Sequence, residues 1–189
     1  MKHLCFFILL CLATLTAQAQ HLGLKTNLLY DATASVSLGV EAGLTNPKFT
    51  LDVAASYNNW DFANNKKWRH WLLQPELRYW LCEAFNGHFF GVHAMGGQFN
   101  FSKVQLPFKM YPQLKDYHYQ GEFMGLGVAY GYQWILSDRW GIEATLGAGY
   151  LYINYKQYPC AECGEELGAG YKGYWGLTKA GLSILYFIN

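Results

Sequence analysis

The chain has few charged residues and, after its first residues, no long apolar run. Charged side chains make up 14% of its 189 residues, whereas a soluble globular domain has about 25%. A membrane-spanning helix needs about 20 consecutive apolar residues, and the sequence contains no such run. A membrane-spanning β-barrel does not need one, because only alternate residues of each strand face lipid.

Motifs of common enzymes and of nucleic-acid-binding proteins are also missing. The sequence contains no phosphate-binding loop, no H-E-x-x-H zinc motif and no G-x-S-x-G nucleophile elbow. Basic residues form no stripe, so we expect no nucleic-acid partner. We therefore predict a protein that is not an enzyme and has no cofactor.

Residues 1–19 have the composition of a secretory signal peptide. They combine basic Lys2, an apolar run over residues 4–12 and the small-x-small site Ala17-Gln18-Ala19. Cleavage after Ala19 would leave residues 20–189, with equal numbers of acidic and basic side chains. A retained membrane anchor is the alternative, and the shortness of the apolar run argues against it.

Eight stretches of residues 20–189 alternate between apolar residues and small or polar ones, with the period of two that indicates β-strands. In the clearest stretch, Met124, Leu126 and Val128 alternate with Gly125, Gly127 and Ala129. A soluble sandwich with this pattern would expose its small side chains on the surface, whereas a narrow barrel lumen needs them. We therefore predict an all-β fold: an eight-stranded antiparallel up-and-down transmembrane β-barrel.

Two finer predictions concern single strands. The alternation in the first stretch continues to Tyr30, so we expect the first strand to reach that residue. The alternation in the fifth stretch blurs after Gly96-Gly97, which favours a β-bulge there.

The connections between the strands alternate in length. Short turns are predicted at residues 46–48, 83–87 and 137–139, and long loops at residues 58–69, 102–118 and 156–173. Short periplasmic turns and long external loops are typical of outer-membrane barrels. We therefore expect an outer-membrane location, with membrane lipid and lipopolysaccharide as partners.

Aromatic residues, 18% of the chain, collect near the predicted strand ends. Such rings form two girdles at the lipid–water boundaries of a barrel. The predicted periplasmic girdle is Tyr79, Trp134, Trp140 and Tyr186, and the outer girdle is Tyr30, Tyr57, Trp71, Tyr150 and Tyr152.

The lumen-facing positions hold charges of both signs. They include Lys25, Glu41, Asp52, Glu76, Arg78, His93, Gln133, Glu143 and Lys179. A first hairpin centred near Thr33 would place Lys25 opposite Glu41, and a turn centred on Asp138 would place Gln133 opposite Glu143. Because buried charges persist only when they are paired, we predict a salt-bridge network that plugs the barrel. A proton or ion path is the alternative.

The remaining candidates for chemistry are cysteine and histidine residues. Cys160 and Cys163 form a C-x-x-C pair, for which a loop disulfide is the first interpretation and metal binding with nearby glutamates the second. Cys82 is expected to be a lone thiol near the periplasmic boundary. His70 lies near the outer rim, where some small barrels that modify lipids have a catalytic His and Ser, but no Ser–Asp partner with a clear spacing accompanies it.

Three segments carry a resemblance to a known family: residues 25–31 (KTNLLYD), 66–80 (KKWRHWLLQPELRYW) and 86–93 (NGHFFGVH). They resemble a Bacteroidales family of uncharacterised outer-membrane proteins, known only as a domain of unknown function. Its members tend to be encoded near fimbria-like surface proteins, which implies a role in surface assembly and surface or fimbrial proteins as partners. At a coarser level, the chain is similar to the small OmpA and OmpX barrels.

Overall fold

The computed structural model describes residues 22–62, 66–102, 118–159 and 167–188. Its elements are β1 (Leu22–Asn27), α1 (Leu28–Asp31), β2 (Val36–Gly43), β3 (Phe49–Phe62), β4 (Lys66–Trp80), β5 (Gly87–Ser102), β6 (His118–Ile135), β7 (Trp140–Tyr158) and β8 (Gly168–Ile188). Each strand pairs antiparallel with its neighbours in the chain, and β1 pairs with β8. The predicted eight-stranded up-and-down barrel is confirmed. In the described ranges no helix has the length and apolarity needed to cross a membrane.

The two ends of the barrel differ in their connections. The short turns between β2 and β3, β4 and β5, and β6 and β7 lie at one end, which we call the turn end. Helix α1 and the connections between β3 and β4, β5 and β6, and β7 and β8 lie at the other, which we call the loop end.

The middle of the barrel wall is apolar on its outside. Outward positions there carry large apolar side chains that are more than a third exposed, among them Leu38, Leu73, Leu77, Val92, Leu126, Val128, Leu146 and Leu182. The alternating inward positions carry Gly, Ser, Thr and charged residues, most of them buried. This arrangement is the reverse of a water-soluble sheet, whose bulky apolar face is the buried one.

The polarity of the wall reverses toward the loop end. Outward positions there are polar: Asn59, Arg69, Asn100, Gln120, Glu122, Asn154 and Lys156. The alternating inward positions are mostly aromatic: Trp68, Phe99, Phe101, Tyr119, Phe123 and Tyr155. In its described residues, this end of the barrel therefore follows the usual rule of apolar residues inside and polar residues outside.

The same reversal explains why two loop predictions were wrong. Residues 58–69 and 156–173 were expected to be loops, but β3 extends to Phe62, β4 begins at Lys66, β7 extends to Tyr158 and β8 begins at Gly168. In the extensions of β3, β4 and β7 the alternation continues, but the outward residues turn polar, so the apolar signal of a strand disappears. The extension of β8 is instead rich in glycine, with Gly168, Gly170 and Gly173. The predicted loop at 102–118 agrees with the end of β5 and the start of β6.

The prediction for the first strand was also wrong. β1 ends at Asn27, whose side chain accepts a hydrogen bond from the Leu29 amide at 3.1 Å and so caps α1. The helical turn changes the centre of the first hairpin, so Lys25 lies opposite Gly39 and Glu41 opposite Gly23. The predicted direct pairing of Lys25 with Glu41 is replaced by a diagonal contact.

The bulge lies in β8 and not after Gly96-Gly97 in β5. The pairing of β4 with β5 keeps one register from Lys67↔Ser102 to Trp80↔Phe89, whereas the pairing of β7 with β8 shifts between Gly147↔Lys179 and Ala148↔Leu177. Thr178 is the extra residue, and both Thr178 and Lys179 are buried. The bulge thus places two consecutive side chains in the lumen.

Candidate functional site

Seven charged side chains meet in the lumen, in the part nearer the turn end. They come from six strands and are each at most 9% exposed: Lys25, Glu41, Asp52, Glu76, Arg78, Glu143 and Lys179. All seven are among the predicted lumen residues. We call this group the ion cluster.

Arg78 is the centre of the ion cluster. Its Nη1 lies 2.7 Å from Glu41 Oε2 and 2.6 Å from Glu143 Oε2, and its Nε lies 2.7 Å from Glu76 Oε1. Its Nη2 lies 3.1 Å from Asp52 Oδ2. A guanidinium has five donors in a fixed plane, and here they reach four carboxylates on four strands.

Two lysines complete the cluster. Lys25 Nζ lies 2.9 Å from Asp52 Oδ2 and 3.2 Å from Glu41 Oε2, and Lys179 Nζ lies 2.9 Å from Glu76 Oε2. Three cations therefore face four carboxylates. Because each charge has an opposite partner within hydrogen-bond distance, the cluster can stay ionised away from bulk water.

Hydroxyl groups satisfy further carboxylate oxygens. Thr50 donates to Glu41 Oε1 at 2.6 Å, and Thr145 donates to Glu143 Oε1 at 2.8 Å. Buried carboxylates accept more than one hydrogen bond when they are fully satisfied, so these threonines belong to the network. Neither threonine was among the predicted lumen residues, because a threonine at an inward position has no charge to mark it.

His93 and Gln133, the two uncharged members of the predicted set, lie at the margin of the cluster. His93 Nε2 lies 2.9 Å from the Thr178 hydroxyl at the bulge, and its Nδ1 lies 3.6 Å from Glu76 Oε2. Gln133 lies opposite Glu143, as predicted. Both Gln133 amide atoms are buried without a hydrogen-bond partner among the described residues.

A group of aromatic rings fills the lumen between the ion cluster and the turn end. Trp80 and Phe89 are fully buried with ring centroids 4.8 Å apart, and Trp80 Nε1 donates to Thr50 Oγ1 at 2.9 Å. Phe85 packs 6.1 Å from Trp80 and 5.8 Å from Phe187. Together with the ion cluster, these rings obstruct the lumen. Trp80 has the same parity along β4 as the predicted lumen residues Glu76 and Arg78, which places it on the inward face, but the sequence gave no reason to expect a group of packed rings there.

The lumen opens again toward the loop end, in a cavity of about 530 Å³ that we call the chamber. His70 is one of its lining residues. His70 Nε2 lies 3.1 Å from Ser56 Oγ, and its Nδ1 is buried without a partner among the described residues. The sequence offered no Ser–Asp partner at a clear spacing from His70. Ser56 reaches it across two paired strands, a contact that sequence spacing does not reveal.

The predicted girdle residues lie near the two ends of the apolar belt. Outward-facing Tyr79, Trp134 and Trp140, with half-buried Tyr186, lie toward the turn end, and exposed Tyr57, Trp71, Tyr150 and Tyr152 lie toward the loop end. Tyr30 lies in α1 and is half-buried. Cys82 is an exposed free thiol at the turn end. Cys160 and Cys163 lie outside the described residues.

Comparison with known proteins identifies a family but no function. No curated protein and no solved structure matches the chain. A family model described as "Protein of unknown function (DUF3575)" matches residues 5–188, which is nearly the whole sequence. The chain therefore belongs to the DUF3575 family, whose function its description leaves open.

Proposed function

We propose that the chain is an outer-membrane protein that serves as a plugged structural or interaction scaffold at the cell surface. The reversal of polarity along the outer wall carries this proposal. An apolar belt needs a hydrocarbon solvent, and the polar outward residues beyond it need water. A water-soluble barrel gains nothing from exposing Leu126, Val128 and Leu146 together.

The height of the apolar belt supports a location in a lipid bilayer. Ten residues separate Trp140 from Tyr150 on β7, which is ~33 Å along a strand at about 3.3 Å per residue. At the usual tilt of roughly 45° the axial height is about 23 Å, close to the ~25 Å apolar band of outer-membrane barrels. The signal peptide expected over residues 1–19 supplies the route of export.

The filled lumen supports a scaffold in preference to a channel. An eight-stranded barrel is just wide enough for its own side chains, and here an ion cluster and a group of aromatic rings obstruct the same lumen. The loop end is then the part exposed to the outside of the cell. The resemblance to proteins encoded near fimbria-like genes suggests that this end contacts surface or fimbrial proteins.

Fractionation and heat-modifiability on gels test the location and the barrel together. We expect the chain in the outer-membrane fraction, with cleavage after Ala19, and a folded band that migrates differently from the boiled one. In a deletion strain we expect altered surface fimbriae or weakened envelope integrity. Recovery of the unboiled protein in the periplasmic soluble fraction would contradict the proposal, as would a deletion strain with unchanged fimbriae and envelope.

A second candidate function, a lipid-modifying hydrolase, is favoured by the contact between Ser56 and His70. In such an enzyme His70 Nε2 accepts the Ser56 proton while Ser56 Oγ attacks an ester carbonyl, and it returns that proton to the alcohol that leaves. Water then hydrolyses the acyl-serine ester, which releases the acyl group as a carboxylic acid and restores the Ser56 hydroxyl. If this function holds, a fluorophosphonate probe will label the wild-type chain and the Ser183→Ala control, but not Ser56→Ala. The lipid A acyl pattern will also change on deletion, and His70→Ala will not restore it. A wild-type chain that the probe does not label would leave the contact a structural hydrogen bond.

A further inference from the structure

Three neighbouring rows of the barrel wall line the chamber. Cross-strand pairing makes the middle row from Asn58, His70, Phe99, Gly121 and Tyr155. The rows on either side hold the outward residues of the same five strands, and they line the cavity too: Tyr57, Trp71, Gln98, Glu122 and Asn154 in one, and Asn59, Arg69, Asn100, Gln120 and Lys156 in the other. The chamber therefore reaches the polar outward rows as well as the inward one.

The chamber is open on one side. β1 ends at Asn27 and β2 begins at Val36, whereas β3 continues to Phe62 and β8 begins at Gly168. In the described part of the chain, no strand closes the wall between β3 and β8 at this level. The volume of about 530 Å³ lies within the ~300–1,000 Å³ of ligand pockets. A ligand dissolved in water can therefore enter the chamber beyond the apolar belt.

Carboxamides dominate the polar lining. Six described residues of the lining are Asn or Gln, whereas three carry a full charge: Arg69, Glu122 and Lys156. Arg69 and Lys156 already interact with other residues of the chain. A carboxamide donates and accepts hydrogen bonds, as a hydroxyl group does, whereas phosphates and carboxylates are recognised mainly by cations. The lining therefore fits a ligand rich in hydroxyl groups better than it fits an anion.

Several of these carboxamides have hydrogen-bonding capacity left. Asn100 Oδ1 is buried without a partner among the described residues. Gln98 Oε1 accepts from Trp71 Nε1 at 3.0 Å, and its NH₂ group can donate to a ligand. Gln120, which lies opposite Asn100, donates to the Tyr158 hydroxyl at 3.2 Å through Nε2, and its oxygen can accept. Because a buried polar atom without a partner costs free energy, a ligand hydroxyl at Asn100 is stabilising.

Two exposed aromatic rings line the chamber on the side of the apolar belt. Tyr57 and Trp71 lie opposite each other on β3 and β4 and are 57% and 44% exposed. The hydrogen bond to Gln98 holds the Trp71 ring in place. A sugar ring carries C–H groups on its faces, which pack against aromatic rings, and hydroxyl groups at its edge. Aromatic rings beside carboxamides therefore match both parts of a sugar.

We propose that the chamber binds a saccharide unit of a cell-surface glycan. This inference rests on the proposed function, which puts the loop end outside the cell, and it gives that end a ligand class. Gln98, Asn100 and Gln120 bind the hydroxyl groups, and Tyr57 and Trp71 pack against the C–H groups. The sugars of lipopolysaccharide lie beyond the apolar belt, and a secreted polysaccharide reaches the same level, so both sources offer this chemistry.

Isothermal titration calorimetry of the full mature chain, folded in detergent micelles, tests the site. The probes come from the producing cells: intact lipopolysaccharide, the core oligosaccharide released from it by mild acid, and the secreted polysaccharide. Binding of the core oligosaccharide or of intact lipopolysaccharide identifies the membrane glycolipid as the source, and binding of the polysaccharide alone identifies the free glycan. Binding of none of them would overturn the proposal. Fractionation tests the membrane location separately, so sugar binding by a periplasmic chain would contradict the location but keep the site.

Two matched pairs of leucine substitutions assign the binding to the chamber. Trp71→Leu removes a ring of the lining, whereas Trp175→Leu removes an exposed ring outside it. Gln120→Leu removes a half-buried carboxamide of the lining, whereas Gln157→Leu removes a half-buried one outside it. We expect a loss of affinity of about tenfold or more in the two chamber variants and less than about twofold in the controls. Heat-modifiability confirms that each variant is folded, and equal affinities within both pairs would overturn the site.

Salt dependence separates a sugar from an anion at the same place. Hydrogen bonds between carboxamides and hydroxyl groups are screened little by salt, whereas the attraction of a phosphate to Arg69 or Lys156 is screened strongly. We expect the affinity of the wild-type chain for the probe it binds to change by less than about twofold between about 0.05 M and about 0.5 M sodium chloride. A loss of about tenfold or more would overturn the saccharide site in favour of an anion site.

Discussion

Replacing Val128 by arginine is expected to lower the free energy of unfolding by about 2–4 kcal/mol in phospholipid vesicles. Val128 is 63% exposed and lies on the outward face of β6, near the middle of the apolar belt. A cation at that depth must leave water or distort the bilayer around it. Urea unfolding followed by tryptophan fluorescence measures the change.

Glu122→Arg is the matched control for this prediction. Glu122 is exposed and lies on the same strand and face as Val128, but beyond the loop-end boundary of the belt. We expect a change within about 0.5 kcal/mol, which is usual for a surface substitution in water. If Val128→Arg were equally mild, the belt would face water, and the proposed membrane location would be wrong.

Arg78→Met is expected to cost about 3–5 kcal/mol of stability, the usual loss when one partner of a buried ion pair is removed. Arg78 is fully buried and contacts Glu41, Asp52, Glu76 and Glu143. Methionine fills much of the space but leaves four carboxylates facing only two lysines. The same urea unfolding assay measures the loss, and Arg139→Met, at an exposed turn position, should change stability by less than about 0.5 kcal/mol.

A double-mutant cycle separates charge imbalance from lost packing. Glu143→Gln removes one carboxylate that Arg78 contacts at 2.6 Å. We expect this substitution to destabilise the wild type, where it breaks a pair, and to restore part of the stability of Arg78→Met, where it removes an unpaired charge. Additive effects of the two changes would contradict the view that Arg78 holds the carboxylates together.

The reversal of polarity explains which strands could be predicted. The alternation of Met124, Leu126 and Val128 is clear because lipid-facing residues must be apolar and the lumen has room only for small or paired polar ones. Beyond the belt the outward residues become polar and the inward ones aromatic, as at Arg69 and Trp68. If strands are identified by an apolar outward face, these extensions are mistaken for loops, although their residues still alternate with a period of two.

The bulge at Thr178 could not be predicted from local pattern. The pair Gly96-Gly97 weakened the alternation of β5 and suggested an irregularity there, but small residues in a strand also occur where the partner backbone approaches closely. A carbon atom added at Gly97 would meet the Trp71 carbonyl, so close packing accounts for that glycine. Thr178, in contrast, fits either face of a strand, and only the pairing with β7 identifies it as the extra residue.

By itself, the sequence determined the number of strands, their alternation, the inward set of charged residues and the apolar belt, because each depends only on the period of two and on the solvent that each face meets. The tertiary structure decided which inward residues meet one another. Pairing register and barrel closure bring Glu41, Asp52, Glu76 and Glu143 around Arg78, and they bring Ser56 to His70. Strand length decided the rest: β1 and β2 are short while β3 and β8 extend past them, and no local pattern records how long a neighbouring strand will be.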